Sequence, residues 1–229
     1  MKKILKLSAI ALLASSTSLM AQSKSFSGAS IGLSLSALGA EVSGNSTATS
    51  SGTSGGSNSV SSGSIGKVAE IAAIDLSYGF EMGSNSVISI GASYTPGKAK
   101  AGSANYTDNG SNTSDTGALT VEVKDPYTIY IAPTYVVSKD SALYAKLGYS
   151  KADINTSATG GASLSKKPGD LEGWTYAIGS KILLSNNVYV GVEASITDYD
   201  SISATTTNSS TISADPKVAQ GTITLGYKF

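Results

Sequence analysis

Five charged side chains stand where chemistry could take place. Asp75, Lys146, Lys181, Glu193 and Lys228 all fall on the polar parity of segments whose other parity is apolar. Carboxylates and ammonium groups that face one another can hold an ion pair, line a selective passage or plug it. Spacing singles out one pair. With Asn186 at the centre of a tight turn, Leu184 opposes Val188, and Lys181 becomes a diagonal cross-strand neighbour of Glu193, so an ion pair is expected between them. Composition excludes most other chemistry. The chain contains no His and no Cys, which removes the Ser–His nucleophile pair, the His general base and zinc sites built on imidazole or thiolate. Only oxygen ligands remain for a hard cation, and Asp108, Asp115 and Asp153 are too scattered to form one site. The Gly-rich tract from Gly52 to Gly63 lacks the G-x-x-x-x-G-K-[ST] spacing of a phosphate cradle. No catalytic residue, metal ligand or cofactor is expected, and the reading is non-enzymatic.

The elements that must position those charges are strands. Period-2 alternation recurs in eight segments with a consistent apolar face, and helical periodicity is nearly absent. Ala72, Ile74, Leu76, Tyr78 and Phe80 oppose Ala73, Asp75, Ser77, Gly79 and Glu81; Leu143, Ala145, Leu147 and Tyr149 oppose Tyr144, Lys146 and Gly148. Val188, Val190, Val192, Ala194 and Ile196 oppose Tyr189, Gly191, Glu193, Ser195 and Thr197. In the first segment, Ala29, Ile31, Leu33, Leu35 and Ala37 share a face, while Phe26 falls out of phase and suggests a bulge. Because proline removes a ladder donor and is unwelcome inside a paired strand, Pro126, in the fourth strand, is placed above the membrane. Whether that fourth strand runs through Pro126 unbroken is left open.

Connections alternate long and short. Long ones span about 44–65, 101–116, 155–170 and 201–216, and short ones about 83–86, 138–141 and 185–187. That alternation is the signature of a membrane barrel with tight periplasmic turns and long external loops. The long tracts are rich in Ser, Thr, Gly and Asn and are expected to be mobile. Outward aromatics sort accordingly: Tyr94, Tyr127, Tyr149 and Trp174 lie beside the long loops, and Tyr78, Phe80, Tyr135, Tyr227 and Phe229 beside the short turns, as two interfacial girdles require. The fold expected is all-β, an eight-stranded antiparallel up-and-down transmembrane β-barrel.

The first residues agree with that destination. Lys2, Lys3 and Lys6 precede an uncharged, small and apolar run to Ala21, the pattern of a secretory signal peptide, so residues 1–21 are expected to be a leader and 22–229 the barrel domain. The run is too short and too Ser-rich for a membrane helix, and nothing later approaches the ~18 apolar residues one needs. Without Cys, no disulfide can staple a secreted fold. Sixteen basic and sixteen acidic residues give zero net charge, which offers no footprint for nucleic acid.

Several motifs resemble a known family. The run Gly173-Trp174-Thr175-Tyr176-Ala177-Ile178-Gly179, the turn Ser185-Asn186-Asn187, Val190-Gly191-Val192-Glu193 and Thr197-Asp198-Tyr199 are similar in order and spacing to the last hairpin of the OmpA-like and opacity-type small barrels, written G-W-x-x-G-x-G, T-D-N and V-E-Y-x-Y-x-D. Pro133-Thr134-Tyr135 stands where that family has G-P-R-Y, with Thr134 in place of Arg, and that resemblance implies a bulge at Pro133. The resemblance covers roughly the C-terminal half. It implies a Gram-negative outer-membrane porin-family protein whose partners are outer-membrane lipids and the assembly machinery that reads a terminal aromatic, here Phe229. It also implies a surface role for the loops, in envelope structure, adhesion or reception of an extracellular ligand. The alternative is a narrow channel for ions or small polar solutes. An eight-stranded barrel is just filled by its own side chains, so the luminal charges are expected to plug more than to select.

Overall fold

A strand with one apolar face must bury it against a second sheet or against lipid. The computed structural model describes residues 22–47, 68–110, 113–160, 164–166, 169–206 and 211–229, and among them the strands form one sheet that closes on itself. The strands are β1 (Gly28–Thr47), β2 (Val68–Glu81), β3 (Ser86–Tyr94), β4 (Lys98–Gly110), β5 (Thr113–Ser138), β6 (Ser141–Gly160), β7 (Leu164–Lys166), β8 (Leu171–Leu183), β9 (Val188–Tyr199), β10 (Ile202–Thr206) and β11 (Thr211–Lys228). Eight of them, β1, β2, β3, β5, β6, β8, β9 and β11, are successive neighbours, and β11 pairs back onto β1. Closure runs through pairs such as Ile31↔Tyr227 and Leu33↔Leu225. The protein is an eight-stranded antiparallel barrel, and closure satisfies the backbone donors and acceptors that an open edge would leave to the bilayer.

Parity decides what faces where. Leu33, Ile178 and Ile223 are 67%, 64% and 62% exposed, a degree no soluble surface tolerates over a whole circumference. No second sheet covers this face among the described residues. Trp174 and Tyr149 meet edge to face at a centroid distance of 5.6 Å, and Tyr78 and Phe80 lie 4.8 Å apart. Tyr94 is in register with Tyr127 at the long-loop end, and Tyr135 lies opposite Ser86 at the short-turn end. The eight-residue step from Tyr127 to Tyr135 on β5 spans about 27 Å along the strand, close to the ~25 Å apolar band once tilt is allowed for.

Three expectations are corrected. Much of the long connections is paired backbone: β4 pairs β5 from Lys98↔Lys124 to Gly110↔Thr113, β1 follows β11 to Thr47↔Thr211, and β5 follows β6 to Gly117↔Gly160. Threonine-rich, alternating chain keeps its β preference, and the ladder supplies its hydrogen bonds once the barrel has set the register. Residues 48–67, the centre of the first tract, lie outside the described residues, as do the expected leader residues 1–21. Secondly, β5 is continuous, and its register shifts against β6 fall between Lys124 and Tyr127 and between Val136 and Ser138, not at Pro133, which stays in register with Ile88. Asp125 adopts φ 48° there. Its Oδ1 accepts the Gly97 N–H at 2.8 Å while the Pro126 carbonyl accepts the Thr95 N–H at 2.9 Å. Thirdly, Phe26 marks no bulge. It ends a 3-10 turn, Gln22–Phe26, packed beneath the inner wall.

Candidate functional site: the barrel lumen

Inward residues form layers. Nearest the short turns, Val87, Val136 and Ala142 make a small apolar cluster with Phe26 packed against it. Above it three tyrosines, Tyr130, Tyr144 and Tyr189, turn into the lumen. Each lies directly opposite a glycine on the next strand, Gly91, Gly179 and Gly226 respectively. A Cβ on any of those glycines would collide with the facing ring, so the Gly–Tyr pairs let the rings lie across the lumen and fill it. Tyr144 and Tyr189 fall on the polar parity in the sequence, but parity alone does not show that their rings fill the lumen. The available signal was an aromatic on the inner parity facing a glycine in the neighbouring segment.

The charges sit among these rings. Lys146 Nζ meets Glu193 Oε2 at 2.6 Å, and the two side chains are only 13% and 12% exposed. The Tyr144 hydroxyl donates to the same Glu193 oxygen at 2.9 Å. Lys146 Nζ also stands 4.3 Å above the Tyr130 ring, while the Tyr130 hydroxyl points at both oxygens of Asp75, 2.9 Å from each. The expected Lys181–Glu193 pair is not the one that forms. Lys181 Nζ lies 4.8 Å above the Tyr189 ring instead. Register explains the exchange. Between Lys146 on β6 and Glu193 on β9, strand β8 presents only Ala177 and Gly179; short side chains there let Lys146 reach across, and the Tyr144 ring lies over Gly179 to meet the same carboxylate. Lys228 stands apart from this cluster, its Nζ 3.4 Å from the carbonyl of Phe229 at the barrel's rim.

Towards the long-loop end the wall is hydroxylic. Thr128, Ser150, Thr175 and Thr197 form a hydrogen-bonded chain across β5, β6, β8 and β9 with steps of 2.6, 2.5 and 2.8 Å. On the opposite wall Ser34 and Ser36 pair with Thr224 and Thr222 at 2.8 Å. Among the described residues a cavity of about 80 Å³ is bordered by Asp75, Lys146, Lys181 and Glu193, room for a few waters. At the upper rim Lys151 lies between Asp170, at 3.2 Å, and Glu172, at 2.8 Å. The hydrogen bonds from Lys151 and from the Tyr149 hydroxyl hold the Glu172 carboxyl below its usual range.

Such a closed sheet, apolar outside and packed with balanced charge inside, defines a small transmembrane β-barrel. The sequence matches the outer membrane protein beta-barrel domain over residues 9–229; the chain belongs to that family, and it is a protein of the outer membrane. No curated protein matches it. Among solved structures it is similar to the outer membrane protein OprG of Pseudomonas aeruginosa, at 15% identity, a TM-score of 0.54, and coverage of 89% of this chain and 96% of that one. Ail, the attachment invasion locus protein of Yersinia pestis, solved with the heparin analogue sucrose octasulfate, matches at 13% identity and a TM-score of 0.44 over 89% and 99% of the two chains.

Proposed function

We propose that this protein is a non-enzymatic surface barrel, an anchor that holds polar strand extensions above the outer membrane for envelope structure, adhesion or contact with an extracellular ligand. The observation that carries this reading is the filled lumen. Lys146–Glu193, Tyr130–Asp75 and Lys181 over Tyr189 occupy the cross-section, and the cavity among them, about 80 Å³, is well below the size of an ordinary small-molecule pocket. Glu193 is taken by Lys146 and Tyr144 and Asp75 by Tyr130, and among the described residues no nucleophile stands with a base beside it in the lumen. In this reading residues 1–21 direct export and are removed, and Phe229 is the terminal aromatic read by the assembly machinery.

Planar-bilayer recording of the purified barrel tests the central point. Insertion without conductance steps is expected, with Glu193→Gln raising the background only if the plug loosens. Stepwise conductance in the unmodified protein would instead establish the channel alternative and make solute selectivity the next question.

A further inference from the structure

We propose that Gln22–Phe26 is a stopper that seals the periplasmic mouth of the barrel, a closure separate from the charged plug above it. This inference goes beyond the anchor reading and does not depend on it, since a conducting barrel could carry the same stopper.

The argument begins with residues on the wrong side of a polar lumen. Val87, Val136 and Ala142 share the inward parity of Ser89, Tyr130, Thr134 and Tyr144, yet they are apolar and 1%, 0% and 1% exposed. In an open, water-filled mouth these side chains would be wetted. Phe26 covers them from below. The chain is pinned at both ends of the turn: the Ser23 N–H donates to the Ser84 carbonyl at 3.0 Å, and the Ser27 hydroxyl to Glu81 Oε1 at 2.9 Å. Ser23 itself is 1% exposed. Gly28, at φ 93°, then reverses the chain into β1, a conformation that suits glycine.

The layer above is closed by the barrel's own wall. Tyr189 is 2% exposed and lies across Gly32 and Gly226, where side chains would collide with its ring. Phe26 is therefore the lowest closure, packed under Val87, Val136 and Ala142, with the Tyr189 ring in the layer above it. Tyr189 is fixed within β9. The stopper, by contrast, is a five-residue turn outside the barrel ladder, so it can undock without breaking that ladder.

Because the chain has no Cys, a single Ser89→Cys substitution gives the only thiol, placed on the inward face two residues above Val87. Its reaction with a membrane-impermeant maleimide, in protein reconstituted in lipid vesicles, reports access from the mouth. Slow labelling is expected beside a Ser84→Cys control in the exposed turn. Adding Phe26→Asp, or Gly79→Ala, whose Cβ would stand 2.7 Å from the Phe26 carbonyl and 3.0 Å from Val87, is expected to raise the rate by about tenfold or more. Heat-dependent gel mobility confirms that each variant has folded. A rise in either folded variant supports the stopper. Rates unchanged in both, or Ser89→Cys already reacting as fast as Ser84→Cys, would overturn it.

Discussion

Lys146 and Lys181 share a parity and a lumen, yet one is an ion-pair partner and the other stands over an aromatic ring. Burial makes that difference measurable. Removing one member of a pair this enclosed leaves the other charge desolvated and unpaired, so Lys146→Met or Glu193→Leu alone is expected to destabilise the folded barrel by about 3–5 kcal/mol, and the double replacement by clearly less. Urea unfolding in lipid vesicles checks this through the non-additivity of the two single changes. Lys181→Met is expected to cost less than Lys146→Met, because no carboxylate is stranded at hydrogen-bonding distance.

At the scale of elements, the β8–β9 connection, Ser185–Asn187, turns in three residues with Asn186 at φ 65° and Asn187 at φ 63°. Asparagine tolerates that left-handed conformation and a β-branched residue does not, so Asn187→Val is expected to cost about 1–2 kcal/mol while Asn187→Gly is neutral or mildly stabilising. The rim cluster on β6 and β8 carries a pH signature. Glu172 titrates lower in the folded state because Lys151 and Tyr149 bond its charged form. Its contribution is therefore complete above the unfolded value of about 4.3 and is lost as pH falls through the lower folded value. Unfolding midpoints measured between pH 5 and pH 3 should fall less steeply in Glu172→Gln than in the parent.

For the whole molecule, the decisive test is the lipid face. Ile178 is 64% exposed and lies midway along β8 between Trp174 and Ile182. On a soluble protein, a lysine at so exposed a position would change stability by about 0.5 kcal/mol at most. At the middle of a bilayer Ile178→Lys is expected to cost about 2–4 kcal/mol. Near-neutral behaviour in vesicles would contradict the orientation of every outward residue. The extensions above the membrane, β4 with β5 and β7 with β10 and β11, continue barrel ladders and need no core of their own.

The alternation of apolar and polar residues, the long and short connections and the sorting of aromatics were sufficient to determine an eight-stranded barrel and its lipid face, because strand parity is a local property with period two. The inward position of Asp75, Lys146, Lys181 and Glu193 followed from the same parity. Their partners did not. Lys146 reaches Glu193 across an intervening strand that presents only Ala177 and Gly179, the latter beneath the Tyr144 ring, and that arrangement exists only once three strands are in register. The Gly–Tyr pairs and the Phe26 contacts arise in the same way, from residues 35 to 116 positions apart in the chain. Sequence periodicity fixes which face a side chain takes; only closure of the sheet decides what it meets there.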